Sequence, residues 1–181
     1  MSVPSPHSPS PPLSPVVAVL LGSDSDLPKL QGCLEALGAL EIPYEVRVLS
    51  AHRSPEALEE FVAEAPRRGA RVLICAAGGA AHLAGTVAAR TDLPVIGIPV
   101  EGPLLGGLDA LLSTVQMPGG VPVATVGVGA GGPRNAAVLA ARILALGDGA
   151  LARRLATERA RMASEVLEKD RAVREKHGRR P

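Results

Sequence analysis

Four short apolar runs and one alternating stretch at 44–49, each followed by a turn and then by a helical pattern, restrict this chain more than any other feature of its sequence. The first, VVAVLL at 16–21, is continuous rather than alternating. A strand of that kind is covered on both faces, as in a parallel sheet. Leu27, Leu30, Leu34 and Leu37 then recur at helical spacing, with Gly38 as a stop. Further strands are predicted at 44–49, 72–76, 95–100 and 121–128. Between them a helix begins at Ser54-Pro55, an N-cap followed by Pro at the first helical position, with Leu58, Phe61, Val62 and Ala65 inward. A small-residue helix follows Gly78-Gly79, a short helix covers 108–115, and an Ala-rich one covers 133–146. Strands and helices repeating with short connections give parallel βαβ units with right-handed crossovers and helices on both sheet faces. The expected fold is therefore α/β, a three-layer α/β/α sandwich around a doubly wound parallel sheet.

The ends do not join this pattern. Residues 1–15 form a Pro/Ser-rich tail, expected to be disordered, and His7 within it has no expected role. Residues 171–181 are charged and expected to fray. One domain, 16–170, remains. It closes with an extra helix at 149–169, with Leu151, Leu155, Met162 and Val166 near one side and no strand after it. That helix packs either on its own domain or on a neighbouring subunit.

Composition narrows the function. Aromatic residues are 1% of the chain and Trp is absent, so the core must be Ala, Val, Leu and Ile. The same scarcity argues against a surface that stacks nucleobases, and a net charge of +1 leaves no footprint for nucleic acid. No stretch is apolar enough to span a membrane, and no signal peptide is evident, which makes the cytoplasm the expected location. Cys33 falls in a helical pattern and Cys75 in a strand pattern; both read as buried thiols. Neither a metal-ligand spacing of His and Cys, nor a triphosphate P-loop, nor a GxSxG elbow is present.

In an open parallel sheet, ligands bind beyond the carboxyl ends of the strands. The turn Gly22-Ser23-Asp24-Ser25-Asp26 offers backbone N–H groups and hydroxyls for an anion, and carboxylates for ribose hydroxyls or an amine. Helix capping by Ser25 or Asp26 is the alternative. The turn Ser50-Ala51-His52-Arg53-Ser54-Pro55 places Arg53 beside a helix N-terminus, a contact that is unfavourable unless an anion is there. His52 suits proton transfer near neutral pH; an exposed loop His beside a solvated Arg is the alternative. In the turn 77–83, Gly78, Gly79 and Ala80 permit close backbone approach to a ligand, and His82 is either functional or structural.

Taken together, GSDSD at 22–26, SAHRSP at 50–55, AGGAAHL at 77–83 and STVQMPGGVPV at 113–123 closely resemble the class I N5-carboxyaminoimidazole ribonucleotide mutases of purine biosynthesis. The resemblance covers roughly 16–167. It implies a flavodoxin-like or Rossmann-like sheet, a homo-octamer, no metal and no organic cofactor. The implied activity moves a carboxyl group from the exocyclic nitrogen of an aminoimidazole ribonucleotide to ring carbon 4. The carbamate substrate comes from an ATP-dependent N5-carboxyaminoimidazole ribonucleotide synthetase. By the same resemblance, His52 and His82 are catalytic. Ser23, Asp26 and Arg53 contact substrate, with Ser25, Ser50, Gly78, Gly79 and Ala80 as neighbours. Two departures stand out. Ala84 replaces a Pro usual in HLPG, which loosens the expected helix start, and 101–107 is unusually rich in Gly. A carboxylase that uses CO2 directly, or a nucleotide-binding module without catalysis, would share this fold. The AAHL at 80–83 favours the mutase over the carboxylase, and the two histidines favour an enzyme over a module.

Overall fold

The computed structural model describes residues 16–103 and 105–178. The Pro/Ser segment 1–15, with His7, and residues 179–181 lie outside the described residues. Five parallel strands run β1 (Val17–Leu21), β2 (Tyr44–Val48), β3 (Val72–Gly78), β4 (Val95–Val100) and β5 (Ala124–Thr125). Their order is β2-β1-β3-β4-β5, the doubly wound arrangement expected. The intervening helices are α1 (Gln31–Ala39), α2 (Pro55–Glu64), α3 (Leu83–Ala88), α4 (Leu108–Val115), α5 (Gly131–Leu144) and α6 (Gly149–His177).

The continuous apolar strands feed two cores because side chains alternate across the sheet. Val17, Val19 and Leu21 of β1 join Val72, Ile74 and Ala76 of β3 on the face covered by α1 and α5. Ala18, Leu20, Leu73 and Cys75 point the other way, against Leu58, Phe61 and Val62 of α2 and Leu83 and Val87 of α3. Small residues let helices approach closely: Ala136, Ala137, Ala140 and Ala141 of α5 are all fully buried. On β4, a Cβ at Gly97 would run into Thr114 Cγ2 of α4 and stand 2.9 Å from Val123 Cγ1. Cys33 and Cys75 are free and buried. Burial pushes the Cys33 thiol up to about 12 and raises that of Cys75 as well, so neither is a thiolate at neutral pH.

Several boundaries differ from the sequence expectation, each for a local reason. The first helix does not begin as α-helix. Asp24–Leu30 is a 3-10 segment, because Pro28 inside it has no N–H to donate. Gly38 does not stop α1, which ends one residue later. The β3 strand extends to Gly78 because β4 pairs with it that far. The fifth strand shrinks from 121–128 to two residues at the sheet edge, with Pro122 unable to donate on one side. The α5 helix starts at Gly131, with Pro133 tolerated in its first turn. Despite Ala84, α3 starts at Leu83, closed by Thr86 N–H donating to the His82 carbonyl at 2.9 Å.

The α6 helix runs on past residue 171, where the charged C-terminal segment begins, to His177. Its polar surface is tied along the axis: Arg161 to Glu158 at 2.7 Å, Arg161 to Glu165, and Arg174 to Asp170 at 3.8 Å. Arg174, Lys176 and His177 in the last turn suit the negative end of the helix dipole. Asp148 caps the start, its Oδ1 accepting from the N–H groups of Ala150 and Leu151 at 2.9 and 3.0 Å. The first turns of α6 pack on their own domain through Leu151 and Leu155. Met162, Val166, Leu167 and Val173, further along, are exposed.

Candidate active site

The topology reverses at β1, with β2 on one side and β3 on the other, and a crevice opens beyond their carboxyl ends. A cleft of about 270 Å³ lies there, lined by the turns after these strands. Its walls include Ser23 and Asp26 after β1, Ser50, His52 and Arg53 after β2, and Gly78, Ala80 and His82 after β3. Eight of the ten residues singled out in the sequence are thus brought together. Ser25 and Gly79 do not line the cleft. Ser25 acts one step back, its Oγ 2.8 Å from Ser23 Oγ. Gly79 serves the turn itself, where a φ of +59° is cheap only for glycine.

The turn after β2 is built by its serines. Ser50 Oγ accepts from the backbone N–H of His52 at 3.4 Å and of Arg53 at 3.2 Å. Ser54 does not cap α2 as expected. Its hydroxyl instead accepts from the Ser50 N–H at 3.0 Å and donates to the Ser50 carbonyl at 3.2 Å. That clasp leaves Pro55 to start α2 and holds His52 and Arg53 at the rim. Arg53 reaches back across the cleft, donating from Nη2 to the Gly22 carbonyl at 2.7 Å and from Nε to Ser50 Oγ at 3.4 Å. Two of its five N–H donors are thereby engaged, and the guanidinium is fixed between two turns.

The turn after β3 delivers the second imidazole. The Ala81 N–H donates to the Gly78 carbonyl at 3.2 Å, and Ala81 itself takes a φ of +25°. His82 follows at the head of α3, where it makes no capping bond. Its Nδ1 lies 2.9 Å from His52 Nε2, and the rings meet edge to face with centroids 5.0 Å apart. One nitrogen of this pair must donate and the other accept, so each ring fixes the other's tautomer. Such a pair can pass a proton across the bridge.

Across the cleft, burial raises the Asp26 carboxyl above the ordinary carboxylate range, Lys29 pulls it back, and Asp24 adds to the rise. The serines of that turn hold one another: the Ser25 N–H donates to Ser23 Oγ at 3.3 Å and to Asp24 Oδ1 at 3.0 Å. Sequence reasoning passed over Gly22 as a contact, although its carbonyl anchors Arg53, and over Ala51, Ala77 and Leu83 in the wall. Small or apolar residues in a turn leave no chemical signal; only their position after a strand marks them. A larger cleft of about 790 Å³ lies between α1, α5 and α6. It contains no histidine, and Arg134, Arg154 and Arg161 in its walls are ion-paired with Glu158 and Glu41. The smaller cleft is therefore the site with reactive groups. Among the described residues, no helix is long and apolar enough to cross a membrane.

Fold and cleft together define a flavodoxin-like α/β protein whose strand-end site carries paired imidazoles, a guanidinium and a half-buried carboxyl. The AIR carboxylase family model matches residues 16–165, and the chain belongs to that family. It is 49% identical over 156 residues to the N5-carboxyaminoimidazole ribonucleotide mutase of Bacillus subtilis, covering 86% of this chain and 96% of that one. It is 52% identical over 156 residues to the protein of the same name from Mycobacterium tuberculosis, covering 86% and 88%. Among solved structures it is similar to Treponema denticola PurE, with a TM-score of 0.79 and 29% identity over 90% of this chain and 98% of that one.

Proposed function

We propose that this protein is an N5-carboxyaminoimidazole ribonucleotide mutase. It moves the carboxyl group from the exocyclic nitrogen to ring carbon 4, giving 4-carboxy-5-aminoimidazole ribonucleotide. The observation that carries this reading is the His52–His82 bridge at the mouth of a cleft that also holds Arg53 and Asp26. Identity of about half over most of the chain to proteins of that name supports it.

The chemistry follows from one proton. His52 gives a proton to the exocyclic nitrogen, the N–CO2 bond breaks, and the amine and CO2 are left in the cleft. Ring carbon 4 attacks CO2, forming the new C–C bond. The proton on that carbon then returns to His52, restoring the aromatic ring. No proton is exchanged overall, so a single group serves both steps. His82 holds the ring of His52 in the productive tautomer. Arg53 binds the 5′-phosphate, Asp26 and Ser23 take ribose hydroxyls, and Ser25 and Ser50 brace them. Gly78 and Ala80 form a small apolar wall against which CO2 is retained. Gly79 shapes that wall by its turn.

The assembly is proposed as a homo-octamer. The α4 face carrying Leu108, Leu112 and Val115, and the apolar residues of distal α6, are exposed in the single chain and require cover. The cytoplasm is the proposed location, and the ATP-dependent synthetase that makes the carbamate is the proposed functional neighbour. The test is an assay of purified protein with the carbamate substrate against the amine plus bicarbonate. Rapid conversion of the carbamate supports the mutase. Turnover with amine and bicarbonate alone, at equal or greater efficiency, would establish the direct carboxylase instead. Affinity without carboxyl transfer would leave a binding module. Sedimentation of a monomer at micromolar concentration would refute the octamer.

A further inference from the structure

The strand order brings together two segments that lie far apart in sequence. β3 sits between β1 and β4, so its C-terminal end, Gly78, is flanked by the turn after β1 and by the start of the segment after β4. Gly78 pairs with Val100 in register, and a Cβ on it would stand 3.4 Å from the Val100 carbonyl oxygen. Glu101 is the next residue. The buried Gly107 packs close to it, so that a Cβ added there would stand 3.0 Å from Glu101 Cα. From the other side of β3, Lys29 Nζ donates to the Glu101 carbonyl at 2.6 Å.

Lys29 belongs to the 3-10 segment that carries Asp26, one turn earlier. The bond therefore spans the end of β3 and ties the turn bearing Ser23 and Asp26 to the end of β4. Gly78, which lines the cleft, lies between the two anchor points. The ammonium also opposes the rise that burial imposes on the Asp26 carboxyl.

We propose that Lys29 is a positioning residue: its strap to the Glu101 carbonyl fixes the ribose-binding turn at its working distance from the β3 wall. This rests on the carboxyl-transfer reading above. Lys29 does not touch the His52–His82 bridge, which is held by other turns. Its loss should therefore weaken substrate binding and leave the proton chemistry intact.

The experiment compares Lys29→Met, which keeps the chain length and removes the donors, with Lys29→Arg, which keeps a cationic donor. Lys29 is exposed, so both variants are expected to unfold at the parent temperature. Loss of one such hydrogen bond at a partly hydrated site should raise KM about 3–10-fold. The kcat of Lys29→Met should stay within about twofold of the parent, and Lys29→Arg should restore most of KM. An unchanged KM in Lys29→Met, a loss confined to kcat, or no rescue by Arg would overturn the proposal. A parent protein without carboxyl transfer would sink the reaction assignment separately. In that case the strap is judged by calorimetric titration with aminoimidazole ribonucleotide. An affinity loss of the same about 3–10-fold in Lys29→Met supports it, and equal affinity overturns it.

Discussion

Replacing His52 tests the chemistry most directly, and the geometry of the imidazole pair dictates which replacements inform. The bridging atom of His52 is Nε2, 2.9 Å from His82 Nδ1. An Asn amide reaches only as far as the Nδ1 position of a histidine, whereas a Gln amide reaches about as far as Nε2. His52→Asn therefore loses both the bridge and the titratable group, and His52→Gln can keep the bridge while losing the acid. If the ring carries the proton between nitrogen and carbon, both variants fall together, by about 10²–10⁴-fold in kcat. That range corresponds to about 2.7–5.5 kcal/mol of activation free energy. His82→Asn behaves differently, because its amide occupies the Nδ1 position that faces His52. If His82 only orients His52, this variant keeps the rate to within about tenfold of the parent. The side chains sit at an exposed rim, so stability should change by no more than about 0.5 kcal/mol. The assay pairs single-turnover carboxyl transfer with calorimetric binding of the ribonucleotide product on the same preparation. Near-normal turnover in well-folded His52→Asn would refute the proposed proton path. A loss in His82→Asn as large as in His52→Asn would show that His82 does more than orient His52.

Three further outcomes are expected. Arg53→Ala should weaken ribonucleotide binding about 10–100-fold, the loss of one charge-assisted phosphate contact, with the assembly intact; calorimetry showing unchanged affinity would reject the phosphate role. Gly97→Ala should destabilise the fold by about 1–3 kcal/mol, because the new methyl meets Thr114 and Val123 between β4 and α4, and urea unfolding at fixed protein concentration measures it. Asp148 is held below the ordinary carboxylate range, chiefly by the Leu151 N–H and also by that of Ala150 and by Arg154 and Arg153. Its contribution is therefore present above the unfolded carboxylate value and lost as pH falls through the depressed one. Asp148→Asn, which still caps but cannot titrate, should flatten the acid limb of thermal stability; an unaltered acid limb would show that the cap does not contribute to it.

What the sequence made legible follows the range over which each interaction acts. The runs of β1, β3 and β4 declared the sheet because burial on both faces removes any alternation, β2 was legible from its alternation instead, and four of the five strands begin within one residue of expectation. Here β1 is the clearest case, with every residue from Val17 to Leu21 buried. Boundaries failed where one local group outweighed the periodicity: Pro28 turned the start of the first helix into a 3-10 segment, and Pro122 shortened the edge strand. Ser54 failed as a cap for a different reason. Its hydroxyl had a competing partner in Ser50, four residues back, and a clasp within a turn is invisible to a rule that looks only forward along a helix. The site shows the same division. Ser23, His52 and His82 could be named from their turns, because a strand-to-helix connection in a parallel sheet always opens on one edge. Their mutual geometry could not, because the 2.9 Å bridge between His52 and His82 depends on the separation of β2 and β3 across β1. The order β2-β1-β3 is what allows a site of this kind. Turns that follow three strands in succession along the chain converge on one crevice only because β3 returns to the far side of β1. Had β3 paired outside β2, the turn bearing His82 would lie a further strand spacing from the turn bearing Ser23 and Asp26. Both right-handed crossovers would then lie on the same face of the sheet, and no crevice would open at β1. The two imidazoles are thus coupled to the phosphate and ribose contacts by topology, and a circular permutation that preserves strand order should preserve the site.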